Sequence, residues 1–299
     1  AVRLRRRQGR VGRFASFARE FHGRRSVLVA WGLTTAHAIG APLTRFVGHV
    51  AVKDGLFVEG AFLYLKRSRG GSYENVAVMV AIGVNEDGCR EAIGCAEGFT
   101  ESSECWRDLL SWLKSRGLRG VRMVVGDKAA GMVGSIAEVF PDAKYQRCTV
   151  HFYRNVLAKV PKPKRPQAAA MLKAIHAMES RETASAKAEA VADDLESMRL
   201  KEAAKVVRDG HAETLAYCEM PREHWRRIRT NNAIERLNRE RCRRARVVGP
   251  FPDGKSALML VAARLKYVAD SERGSRRYLD VSLLKEQSCW RLAKSAQNY

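Results

Sequence analysis

Acidic residues are scarce in this chain: 32 Asp and Glu stand against 54 Lys and Arg, a formal net charge of +22. An imbalance of that size argues against a neutral metabolite as principal partner and for a polyanion such as nucleic acid, a basic solvated surface being the plain alternative. Long apolar runs are also missing. Arg24-Arg25 and the apolar stretch to Ala41 imitate a twin-arginine export signal, but Thr34, Thr35, His37 and Gly40 interrupt it. It is too short to cross a bilayer, so neither export nor membrane contact is expected. Seven cysteines, odd in number and irregular in spacing, make no disulfide framework and point to a reducing compartment. Cys148 and His151 form a single C-x-x-H pair, and the lack of a second pair at ligand spacing argues against structural zinc.

What is present suffices for a core: 46% of the 299 residues are apolar, enough for one large or two small domains. The chain organises itself around Val121-Arg-Met-Val-Val-Gly-Asp127, a β-branched run that reads as a buried strand delivering a carboxylate at its C-terminal edge. Met132, Ile136, Val139 and Phe140 recur at helical spacing until Pro141, and a second strand is expected to carry Cys148 and His151 to the same neighbourhood. Upstream, strands are expected from Leu56 to Lys66, Val76 to Val84 and Arg90 to Cys95, with a type I′ turn at Asp87-Gly88. Ser102 or Ser103 caps a helix carrying Trp106, Leu109, Leu110 and Leu113, and Gly117 stops it. Between Pro161 and Met220, Pro166 starts a run with Met171, Leu172, Ile175 and Met178 on one face and Thr183 to Val207 also reads as helical; two further helices are expected from Asn232 to about Arg246 and from Ser256 to Val268.

Gly-Asp-Lys-Ala-Ala-Gly at 126–131, Gln-Arg-Cys-Thr-Val-His-Phe-Tyr-Arg-Asn at 146–155 and Thr-Asn-Asn-Ala-Ile-Glu-Arg-Leu-Asn at 230–238 resemble the signatures of the mutator-type transposases of bacterial insertion sequences. The resemblance runs in order from about Lys66 to about Glu286. It implies an α/β fold, a ribonuclease-H-like mixed sheet flanked by helices, with an all-helical insertion between the second and third acidic residues. The implied organisation is a basic, disordered or irregular leader at 1–52, the first part of the catalytic core at 53–160, the insertion at 161–222, the end of the core at 223–272 and a basic tail at 273–299. Relatives carry a helix-turn-helix region before the core, and none is legible between Ala1 and Val52.

The chemistry implied is metal-dependent cleavage and strand transfer of DNA. Two Mg²⁺ (or Mn²⁺) ions, roughly 3.5 to 4 Å apart, activate the nucleophile and shield the phosphate, and a few carboxylates on a rigid sheet hold them. Asp127 and Glu235 are the expected metal ligands and catalytic acids, although Asn232 and Glu235 also fit a capping box. The first acid is out of register: the family's aspartate falls on Ala61. Glu59 lies two residues away on the same strand face and is the candidate substitute, with Asp54 further upstream. Cys148 and His151 are expected to support the site by hydrogen bonding, or else to be buried packing residues.

DNA contacts are expected from Arg226, Arg227, Arg236, Arg239, Arg243 and Arg244 through backbone phosphate, and from Trp225 by stacking on an unpaired base, a core tryptophan being the alternative. Arg241 falls on the apolar stripe of the Glu235 helix. The expected partners are double-stranded DNA, both element ends and target, and further copies of the chain as a dimer or higher oligomer, in the bacterial cytoplasm at the nucleoid. Two readings stay open, a working transposase and an inactive DNA-binding remnant; a ribosomal-type RNA-binding protein is a distant third.

Overall fold

A computed structural model describes residues 33–38, 41–47, 57–69, 72–85, 87–98, 102–128, 130–232, 234–235, 239, 243, 251, 253–269 and 276–287. Its strands are β1 (Leu33–Ala38), β2 (Ala41–Val47), β3 (Phe57–Arg69), β4 (Ser72–Val84), β5 (Arg90–Gly98), β6 (Met123–Gly126) and β7 (Lys144–Arg147). They form one sheet in the order β1-β2-β5-β4-β3-β6-β7. Pairing is antiparallel from β1 to β3, while β3–β6 and β6–β7 are parallel, so the sheet is mixed. The helices are α1 (Ser103–Ser115), α2 (Ala130–Val139), α3 (Thr149–Ala158), α4 (Arg165–Ile175), α5 (Arg181–Ser197), α6 (Lys201–Gly210), α7 (Trp225–Ile228) and α8 (Gly254–Ala269). The chain is thus α/β, a mixed sheet flanked by helices.

β4 explains the unbroken apolar run at its centre. Successive side chains on a strand point to opposite faces. Ala77, Met79 and Ala81 pack under Trp106, Leu109, Leu110 and Leu113 of α1 and Met132 and Ile136 of α2. Val76, Val78, Val80 and Ile82 pack under Ala257, Leu258, Val261 and Leu265 of α8. Covered on both sides, the strand has no polar face to alternate with. Ser102 caps α1 by accepting from the Cys105 N–H at 3.3 Å, and Gly117 ends that turn at φ +104°.

Three local expectations are corrected. First, β1 and β2 lie within the stretch expected to be irregular: β2 pairs with β5 through Arg45–Ala96, Phe46–Cys95 and Val47–Gly94, which gives the outer strand of the meander a partner. The remaining basic leader lies outside the described residues. Second, the β4–β5 turn is not type I′. Among the described residues of the turn only Gly88 takes a positive φ, +78°, and Asp87 does not; the Gly88 N–H donates to Asn85 O at 2.9 Å, while Asn85 Oδ1 accepts from the N–H of Asp87 and of Cys89. The Asn side chain therefore closes the turn one residue earlier, with glycine at its end. Third, the strand after α2 stops at Arg147; Cys148 is the N-cap of α3 and His151 is helical.

All described elements between Pro161 and Met220 are helical. Phe152 and Val156 of α3, Leu172 and Ile175 of α4, Val191 and Leu195 of α5, and Ala203, Ala204 and Val207 of α6 share one core, in which the alanines let the helices approach closely. Polar groups join this helical unit to the sheet. Gln146 of β7 donates to Thr214 O at 2.9 Å and accepts from the Tyr217 N–H at 2.8 Å. His176, 6% exposed, lies between Tyr153 Oη at 2.8 Å and Thr214 Oγ1 at 3.0 Å, and Arg229 donates to its carbonyl at 2.9 Å.

Burial holds the His176 pKa down to about 4 from 6.5, with the charge of Arg229 acting in the same direction. On acidification the unfolded chain takes up this proton near pH 6.5 while the folded chain resists to about 4, so this contribution is whole above pH 6.5 and is lost as pH falls to 4. The loss reaches about 3 kcal/mol. Urea unfolding of the native chain and of His176→Gln across that range is expected to show a steeper acid limb in the native chain.

Candidate active site

Asp127 follows Gly126 directly, at the carboxyl edge of β6. The strand's Val124 faces α1 and α2, while Met123 and Val125 face the opposite core, so by alternation Asp127 follows on that second face. Gly126 permits the approach of α2: a Cβ there would meet Met132 Sδ at 2.5 Å. The chain then turns sharply, with Lys128 at φ +70°, a left-handed conformation unusual for a residue with a side chain. Lys128 Nζ reaches Glu213 Oε2 at 2.9 Å.

Glu235 stands beside the start of α3, its Oε1 facing His151 and Arg154. Ile234 beside it packs in the core under α8. Asn231 anchors the turn, accepting from the Cys148 thiol at 3.1 Å through Oδ1 and from the Glu235 N–H at 3.2 Å through its carbonyl. The Cys148 N–H donates to Gly126 O at 2.7 Å, and the Thr149 N–H, otherwise an orphan of the first helical turn, donates to Arg229 O at 3.0 Å. Cys148 therefore ties the residue before Asp127 to the turn that carries Glu235. Burial pushes its thiol pKa up, which keeps it protonated and a donor. His151 Nε2 lies 3.1 Å and Arg154 Nη1 3.7 Å from Glu235 Oε1, so two basic groups of α3 hold this carboxylate.

The first acid is where the sheet register matters. β3 runs parallel to β6 with Phe57, Val58 and Glu59 opposite Met123, Val124 and Val125. Continued two residues beyond its last pair, the same register would bring Ala61 level with Asp127. Glu59 stays behind: it is 5% exposed, its Oε1 accepts from Arg90 Nη2 at 2.8 Å, and the Arg90 guanidinium lies 3.4 Å over the Tyr278 ring. Asp54 lies outside the described residues. Among the described residues no three His, Cys, Asp or Glu side chains are grouped so as to hold a metal ion.

Residues 55–272 match the family model described as Transposase, Mutator family. The chain belongs to that family. It is 36% identical over 228 residues to the transposase for insertion sequence element IS1081 of Mycobacterium tuberculosis, 76% of this chain and 55% of that protein. It is 34% identical over 234 residues to the transposase for ISRM5 of Rhizobium meliloti, 78% of this chain and 58% of the relative. With the transposase for IS256 in transposon Tn4001 of Staphylococcus aureus the identity is 32% over 220 residues, 73% and 56% respectively. The chain spans a little over half the length of these Mutator-family relatives.

The remaining expected contacts divide. Trp225 packs in the core rather than standing clear for stacking: its indole N–H donates to Met220 O at 2.8 Å and its ring meets Tyr217 edge-on, centroids 5.3 Å apart. Arg226, Arg227, Arg239 and Arg243 are exposed. Arg227 also donates to Tyr278 O and accepts from the Tyr278 hydroxyl through its own carbonyl. Arg236, Arg241 and Arg244 have side chains outside the described residues. Arg90, Asn231 and Tyr278 were not foreseeable as partners. Each meets its target across a sequence gap that only the sheet register and the return of the chain close.

The Glu59–Arg90 pair is expected to be structural. Breaking a fully buried pair costs roughly 3–5 kcal/mol. Arg90 keeps a quarter of its side-chain exposure, so Arg90→Met is expected to cost less, about 2 kcal/mol, read as a lowered urea midpoint.

Proposed function

We propose that this chain is the ribonuclease-H-like core of an insertion-sequence transposase that binds double-stranded DNA and cleaves it poorly, because the position of its first acid is taken by Ala61. The observation that supports this is the β3–β6 register, which pairs Glu59 with Val125 and, continued two residues, brings Ala61 to Asp127, while Glu59, the nearest substitute, is engaged by Arg90. The strand order, three antiparallel strands followed by two parallel ones across helices, supports the fold assignment, and the helical unit at 161–222 corresponds to the insertion between the second and third acids.

Asp127 and Glu235 are the proposed ligands for Mg²⁺ or Mn²⁺. Two carboxylates, one of them already held by His151 and Arg154, fit one ion and not the pair on which two-metal strand cleavage depends. When bound, such an ion would shield phosphate charge. The chain's own residues do the rest of the work proposed here: His151 and Arg154 fix the direction of Glu235, Cys148 and Asn231 fix its distance from the Asp127 edge, and exposed arginines hold the DNA backbone without reading its sequence. The relatives' names support element ends as the DNA bound, and assembly of several copies on that DNA is part of the proposal.

Two outcomes are expected. Ala61→Asp raises Mg²⁺-dependent nicking of element-end DNA by roughly a hundredfold, the scale set by a misplaced catalytic group. A native chain that already cuts at that rate, and loses it in Glu59→Gln, overturns the proposal in favour of an intact transposase. Duplex binding is expected to weaken steeply with salt, and Arg239→Gln and Arg243→Gln each to lower the slope of log K against log salt by about 0.9. Binding indifferent to salt would remove the electrostatic account.

A further inference from the structure

Between α3 and α6 a cavity of about 420 Å³ opens, its lining including Lys128, Arg147, Asn155, Lys159, Asp209 and Gly210. Its most buried charge is the Arg147 guanidinium. Arg147 is only 4% exposed, yet its buried Nε has no hydrogen-bond partner. The carboxylate facing it, Glu213, stands 3.7 Å from Nη1, beyond hydrogen-bond reach, and the same oxygen lies closer to Lys128, at 2.9 Å. Below, the Phe152 ring lies 5.1 Å from the guanidinium carbon. Burial pushes the Arg147 pKa down and Glu213 opposes this, so the cation is incompletely compensated.

The seat for this cation is built. Gly210 ends α6 against it, and a Cβ there would come within 2.4 Å of Nη1. Asn155 on α3 and Lys159, its C-cap one turn later, place an amide and an ammonium at the mouth, and Lys128 adds a second ammonium from the turn after Asp127. Lys159 is also 3.1 Å from Glu202, and Asp209 brings one exposed carboxylate to the rim. The lining brings a guanidinium and two ammonium groups together with one carboxylate, and although Glu213 and Glu202 stand beside these cations, a guanidinium fork with neighbouring ammonium groups matches the oxygens and the multiple charge of phosphate.

We propose that this cavity is a binding site for a phosphoryl group, with Arg147 as its principal donor and Lys128, Asn155 and Lys159 at its mouth. The group comes either from a DNA backbone or from free phosphate. Only its DNA source rests on the transposase reading.

The test compares the native chain with Arg147→Met and Gly210→Ala. Gly210→Ala keeps the charge and adds one methyl at a helix end, so it displaces the guanidinium even where Arg147→Met fails to fold. Thermal midpoints are measured in millimolar sodium phosphate and in sodium acetate at equal ionic strength. A rise specific to phosphate in the native chain, lost in the folded variants, is the expected result. No such rise in the native chain, or a rise retained in Gly210→Ala and in folded Arg147→Met, overturns the proposal.

Duplex affinity against salt then identifies the source. A slope lowered by about 0.9 in Arg147→Met, or in Gly210→Ala where the former does not fold, supports a backbone phosphodiester as the ligand. An unchanged slope alongside the phosphate-specific rise supports free phosphate and rejects the DNA source. These readings do not depend on nicking, so failure of the cleavage proposal and failure of this one are separable.

Discussion

Three residue pairs, Phe57 with Met123, Val58 with Val124 and Glu59 with Val125, hold β3 beside β6, and the composition of the site depends on that register. Side chains alternate across a sheet, so a slip of one residue would put every apolar group of β3 on the wrong face. Val58 must face Trp106 and Met132, while Leu63 and Leu65 must face α8. Bringing Glu59 level with Asp127 takes a shift of two residues, which keeps each side chain on its face but breaks the bond from Arg90 and displaces Val58, Leu63 and Leu65 from their present neighbours. The register thus keeps Glu59 opposite Val125 and beside Arg90.

Three acids near the site stand beside cations. Glu59 accepts from Arg90, Glu235 lies against His151 and Arg154, and Glu213 lies between Lys128 and Arg147. In a chain with a net charge of +22 a buried carboxylate meets a guanidinium more readily than it stays open. The surplus of positive charge that favours a polyanionic partner thus also draws on the carboxylates that a metal would require. At Arg147, whose buried Nε has no hydrogen-bond partner, the protein leaves a cavity.

The helical unit and the sheet are joined by polar contacts that apolar patterning does not specify. Gln146 and His176 are buried and bonded, and a buried polar group demands a partner with defined geometry. This fixes where Lys159, Asp209 and Gly210 stand relative to Arg147, and it makes the junction sensitive to protonation of one imidazole.

Much of the sheet was legible in the residues. Apolar runs longer than an amphipathic strand, helical spacing at Trp106, Leu109, Leu110 and Leu113, and motifs around Asp127, Cys148 and Glu235 carry their information locally or in short windows. The β1–β2 hairpin, the turn geometry at Asn85 and the helical placement of His151 were not read, because a strand edge, a side-chain-closed turn and a helix start depend on partners as well as on propensity. The sequence by itself determined the alternation that buries β4 on two faces, the absence of a carboxylate at position 61 and the excess of positive charge. Only the tertiary structure decided that Glu59 belongs to Arg90, that Trp225 belongs to the core and that Arg147 faces a cavity, since ion pairs and cavities are made by residues that meet only when distant segments pack.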